Sequence, residues 1–140
     1  MDQIVIGKYQ GDREEEVLKL YRSVGWSGYY DRPEMLKAAL EGSLLVLSAC
    51  AEGHLVGLAR VVGDGASVVF LQDILVMPAY QRRGIGRRLI AELLRRYGHV
   101  RQFHLMTDDV PETVGFYQAV GFTPVEKLHC RAFTRTRYGK

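Results

Sequence analysis

A chain of 140 residues, 47% hydrophobic and 25% charged, has enough sequence for one domain with a buried core. Its net charge of +3 is too small to argue for nucleic acid by itself, and no apolar run approaches the roughly 20 residues of a membrane helix. The start, MDQIVIGKYQ, lacks the basic and apolar segments of a secretion signal, so a cytoplasmic protein is expected.

The elements follow in chain order. IVIGKY (4–9) alternates like a strand. GDREEEVLKLYRSVG carries acids where a helix dipole favours them and repeats Val17, Leu18, Leu20, Tyr21 and Val24 at helical spacing until Gly25. The aromatic loop WSGYYD comes next, and Asp31 with Glu34 reads as a capping pair opening the helix RPEMLKAALEG, which Gly42 ends. SLLVLSAC and HLVGLARVV are β-type runs joined by a hairpin at AEG, and GDG (63–65) turns into a third, SVVFLQDILV (67–76). MPAY breaks that strand. RRLIAELLRRYG then shows an apolar helix face of Leu89, Ile90, Leu93, Leu94 and Tyr97. RQFHLMT reads as a strand, DVPETVGFYQAVG as a short helix, and the remainder as a final pair of strands. The expected fold is α/β, a single domain over 1–140 with the order β-α-α-β-β-β-α-β-α-β-β: a mixed sheet with helices on both faces.

Positive charge is concentrated. Between Tyr80 and Arg101 there are seven arginines and one acid, Glu92, and the final RAFTRTRYGK adds three arginines and a lysine. The centre of this charge is QRRGIGRRLI (81–90), between a strand end and a helix start. Gly84 and Gly86 remove side chains that would bar a phosphate from backbone N–H donors, while Arg82, Arg83, Arg87 and Arg88 can pair with it. The other reading is a solvated, arginine-rich helix start with two turn glycines. A Walker loop is absent, and the dinucleotide pattern G-x-G-x-x-G fails because its third glycine position is Leu89.

Phe116 and Tyr117, taken alone, read first as core aromatics of a short helix. Trp26 reads as a core anchor or as a ligand contact. Cys50 and Cys130 have no metal-type spacing and read as buried reduced thiols. His54, His99, His104 and His129 form no ligand-like cluster, so no metal is expected.

ILVMPAYQRRGIGRRLI resembles the V-x-P-x-x-Q/R-x-x-G-x-G/A segment of the GCN5-related N-acetyltransferase (GNAT) superfamily, and FYQAVGF (116–122) resembles its second signature. The element order is similar to that fold over nearly the whole chain, and the sequence looks closest to arylalkylamine-type members. The resemblance implies acetyl-CoA as the phosphate-bearing co-substrate, with no metal. A splayed strand at Ile74, Leu75 and Val76 would pair with the pantetheine arm. The amides of Arg82, Arg83, Gly84, Ile85, Gly86 and Arg87 would take the pyrophosphate. Val76 N–H would polarise the acetyl carbonyl, and Tyr117, against the CoA sulfur, would be the general acid. The aromatic loop would cover the acceptor, which places Trp26 and Tyr29 in substrate binding. Where relatives carry a glutamate or histidine base on the strand, this chain has Phe70 and Gln72; Gln72 can only orient water. Asp73 is the nearest carboxylate, but simple alternation points it to the opposite face unless the strand bulges, and it reads at least as well as the partner of an arginine or the cap of a backbone amide. No base is assigned, and the asparagine many relatives carry before the last helix is missing from TDDVPETVGFY.

The expected reaction is transfer of acetyl from acetyl-CoA to a primary amine of a small molecule, an arylalkylamine or polyamine, by direct attack in a ternary complex. Acetylation of protein lysines or N-termini, and an acetyl-CoA sensor without turnover, are the alternatives. Specific nucleic-acid or membrane partners are not expected, whereas a homodimer is, by analogy with relatives.

Overall fold

The computed structural model describes residues 3–136. The chain divides into two compact units, Met1–Leu105 and Met106–Lys140. The first contains β1 (Ile4–Lys8), α1 (Glu14–Ser23), α2 (Ser27–Tyr30), α3 (Pro33–Glu41), β2 (Leu45–Ala51), β3 (His54–Gly63), β4 (Val68–Val76), α4 (Ile85–Tyr97) and β5 (Gln102–Leu105). The second holds α5 (Pro111–Ala119) and a 3-10 turn at Val125–Leu128.

The strands stand in chain order, β1-β2-β3-β4-β5, antiparallel except for the parallel pair β4/β5. Tight turns make the meander possible. Glu52 and Gly53 both adopt positive φ, 50° and 81°, which suits a two-residue hairpin between right-twisted strands. A helix, α4, supplies the crossover that a parallel partner needs.

The sheet is covered on both faces. Leu58 joins Val17, Leu20, Tyr21, Leu36 and Leu75 under α1 and α3. A Cβ on its neighbour Gly57 would meet Ile85 of α4 at 3.4 Å. Adjacent strand residues point to opposite faces, so α1 and α4 lie on opposite sides of β3. Leu89, Ile90 and Leu93 of α4 are at most 1% exposed, each worth about 1.5–3 kcal/mol of transfer free energy.

The turn before β4 rests on Asp64. Its Oδ1 accepts the N–H groups of Ala66, Ser67 and Val68 at 2.8, 2.7 and 3.0 Å, and Ser67 Oγ donates to Oδ2 at 2.6 Å. The Ser67 hydroxyl and these amides hold the carboxyl well below the usual carboxylate range. A lowered folded-state pKa stabilises above the unfolded value and loses that contribution as pH falls toward the folded one. Asp64→Ala is therefore expected to lower the melting temperature at neutral pH. Its deficit against wild type should shrink below about pH 4, the ordinary aspartate pKa, in melts run as a function of pH.

Four expectations are corrected. No strand forms among residues 121–136; the 3-10 turn ends at His129, at φ +57°, and the following residues carry no sheet pairing. The Asp31–Glu34 capping pair is not made, because the helix starts at Pro33, two residues after Asp31. Proline suits that first position, and Asp31 instead closes α2 with its N–H on Ser27 O at 3.1 Å. The aromatic loop contains that single helical turn, α2. Of the two cysteines, both free, Cys50 is half-buried and Cys130 exposed, since the latter lies in the stretch that forms no strand.

Candidate active site

β4 is shared unequally. Its pairing with β3 continues to Val76↔Gly57, but its pairing with β5 stops at Leu71↔Leu105. Residues 72–76 therefore have no strand partner on their second edge among the described residues. Met77 N–H bonds Val56 O at 2.8 Å, so by antiparallel alternation Ile74 and Val76 direct their backbone groups toward the open edge. Leu75 faces β3 with its backbone and the apolar core with its side chain, 4% exposed.

This edge runs into the glycine-arginine corner. A 3-10 turn, Pro78–Tyr80, breaks the strand, and the Gln81 side-chain amide donates to Val76 O at 2.9 Å, tying the corner to the strand end. Arg82 at φ +64° and Gly84 at φ +80° are left-handed, which turns successive N–H groups to one side in the manner of an anion nest. α4 begins at Ile85, whose buried side chain (2% exposed) anchors the helix. The amides of Ile85, Gly86 and Arg87 occupy the first turn, where N–H groups have no intrahelical acceptor and the helix dipole is positive. Arg82, Arg83 and Arg87 are exposed around them, with the Arg83 guanidinium over the Tyr80 ring at 5.0 Å. Arg88 serves the fold instead, donating to Ile4 O at 3.2 Å.

A second cluster lies over the middle of β4. The register passes from Arg60↔Asp73 to Val61↔Leu71, so Gln72 is the extra residue of a β-bulge. Asp73 is buried, with Arg60 Nε at 2.9 Å and Tyr21 Oη at 3.1 Å on Oδ2, and Tyr29 Oη at 3.0 Å on Oδ1. Gln72, exposed, follows Leu71 as the bulged residue and directly precedes the buried Asp73. Burial, and after it the Asp73 charge, push the Tyr21 and Tyr29 hydroxyls up, so both stay protonated donors. Trp26, 36% exposed, has its ring 5.9 Å from Tyr21 and 6.4 Å from Tyr29.

Trp26 and Tyr29 are thus in ring contact above Asp73, with Gln72 beside it on the strand, and 74–76 and 82–87 flank the turn that Gln81 ties to Val76. Tyr117 belongs to the second unit. There it is half-buried on α5, with its ring edge-on to Phe116 at 5.1 Å and to Phe122 at 6.2 Å, and burial pushes its hydroxyl up. Sequence reasoning allowed Asp73 an arginine partner without naming Arg60, and it missed Tyr21. The signal was present: an arginine inside the apolar run HLVGLARVV needs a buried anion, and Asp73 is the one acid in the next strand. Among the described residues no group of three or more His, Cys, Asp or Glu could hold a metal, and no helix is long and apolar enough to cross a membrane.

The open strand edge and the helix start beside it belong to one continuous stretch of chain, and comparison with known proteins places the chain in a family. The acetyltransferase (GNAT) domain family matches residues 14–135, and the chain belongs to that family. It is 39% identical to a GNAT-family acetyltransferase structure from Streptococcus pneumoniae TIGR4, with a TM-score of 0.86 over 98% of this chain and all of that one. An uncharacterized N-acetyltransferase, ycf52, of Gracilaria tenuistipitata var. liui is 32% identical over 111 residues, 74% of this chain. The chloroplastic serotonin N-acetyltransferase 2 of Oryza sativa subsp. japonica is 34% identical over 113 residues, again 74% of this chain. The matches span 58% and 54% of the lengths of those two curated relatives.

Proposed function

We propose that this protein is an acetyl-CoA-dependent N-acetyltransferase acting on the primary amine of a small molecule, foremost an arylalkylamine. The observation that carries the reading is the open edge at 74–76 running into the left-handed corner at 82–87, which suits a pantetheine arm followed by a pyrophosphate. Acetyl-CoA supplies the thioester. Val76 N–H, fixed by the strand, stabilises the oxyanion that forms as the neutral amine attacks. Tyr117, kept protonated by burial, returns a proton to the departing thiolate. Asp73 is no base here, since Arg60 and two tyrosines hold its oxygens. The amine proton passes to water, which Gln72 can orient. Trp26 and Tyr29 offer an aromatic wall to the acceptor, by stacking and by cation–π attraction while the amine is charged. The name of the rice relative favours the same acceptor class. One catalytic domain over 1–140 and a homodimer belong to this proposal and rest on the family resemblance.

The test is release of CoA thiol from acetyl-CoA with phenethylamine, tryptamine, spermidine and a lysine peptide in turn. Release should require an amine, be fastest with the two aromatic amines, and rise with pH as the amine loses its proton. Turnover of the peptide alone would move the acceptor to proteins. Tight acetyl-CoA binding without turnover of any amine would leave a sensor.

A further inference from the structure

Arg60, at 6% exposure, and Asp73, at 4%, are buried charged side chains that the acetyl-transfer chemistry does not use. A buried ion pair is a weak source of stability, because well-packed apolar residues of similar volume often do as well or better. What an apolar pair cannot do is direct a hydroxyl. Here the pair directs that of Tyr29, which donates to Asp73 Oδ1 at 3.0 Å and accepts from Arg60 Nη2 at 3.3 Å. Tyr29 sits on α2, four residues long, with no side-chain cap and no fully buried residue of its own. The ion pair therefore ties a weakly held turn to β3 and β4. It does so beside the bulge at Gln72 and one residue before the open edge begins at Ile74. Arg60 is itself aimed by a third contact, Nη1 to Ser43 Oγ at 3.4 Å.

We propose that Asp73, aligned by Arg60, is a positioning residue for the acceptor: it fixes Tyr29, and through ring contact Trp26, relative to the 74–76 edge, and so governs which amines bind. This rests on the acetyl-transfer reading above. A merely stabilising ion pair differs in its consequences. Its loss lowers the melting temperature and leaves both Michaelis constants of the folded enzyme alone.

Tyr29→Phe separates the two, because it removes one hydroxyl and keeps the ring; Asp73→Asn is the companion variant, though it carries a folding risk. With phenethylamine as acceptor, Tyr29→Phe should raise the amine KM by up to about tenfold, because a ring no longer held by its hydroxyl must be ordered when the amine binds. The acetyl-CoA KM and kcat should stay near wild type. Trp26 is the single tryptophan, so its emission should also shift in the free Tyr29→Phe variant. An unchanged amine KM in the folded variant would overturn the proposal. Should the wild type acetylate no amine, the acetyl-transfer reading falls separately. Titrating phenethylamine against Trp26 emission then still decides the positioning claim: a weaker response in Tyr29→Phe supports it, and an equal or absent response in both proteins overturns it.

Discussion

Tyr117→Phe is expected to slow amine acetylation by about 10²- to 10⁴-fold, the contribution of a positioned general acid. The substitution keeps the aromatic body that meets Phe116 and Phe122 edge-on, so the fold of α5 should survive. What disappears is one proton donor. Burial raises the hydroxyl pKa, so the acid form persists through neutral pH and any alkaline limb due to Tyr117 lies above the ordinary tyrosine value of about 10. Single-turnover thiol release, read beside a thermal melt, separates lost chemistry from lost folding. A rate near wild type in the folded variant would mean that the thiolate leaves without this proton.

Asp73→Ala is expected to cost about 3–5 kcal/mol, because it strands the Arg60 charge in the interior. It also removes the acceptor of two tyrosine hydroxyls. Against a total stability of about 5–15 kcal/mol for a domain, that is enough to bring the chain near its unfolding midpoint. Arg60→Ala should cost a similar amount. The double replacement Arg60→Ala with Asp73→Ala should cost clearly less than the two single variants together, since neither charge is then orphaned. Urea denaturation of the four proteins gives the comparison. Strict additivity would show that the two side chains do not depend on each other.

The parts legible in the sequence are those set by short-range rules. Gly84 and Gly86 ahead of an apolar face marked the corner and α4, and Glu52–Gly53 marked the hairpin. The unread parts depend on partners far along the chain. Arg60 and Asp73 meet only because the β3/β4 register aligns them, and the bulge that aligns them at Gln72 leaves no local signature. Asp73 reaches the Tyr29 hydroxyl from the residue next to that bulge. The alternating residues after Gly121 have β-type composition, yet a strand needs an edge to pair with, and among the described residues none pairs there. Pro33 overrode the Asp31–Glu34 pair for a local reason that spacing by itself does not weigh.

The most direct measurement is calorimetric titration of acetyl-CoA into the wild type and Gly84→Val. Gly84 sits at φ +80° with nothing within 4 Å of an added Cβ, and a β-branched residue is strained at that φ, so valine should reshape the corner. The expected result is binding by the wild type, weakened by salt and by free CoA, and a loss of about tenfold or more in a Gly84→Val protein that still melts cooperatively. Equal affinity in the two proteins, or a wild type that binds no acetyl-CoA, would contradict the assignment of this corner as the site of the co-substrate.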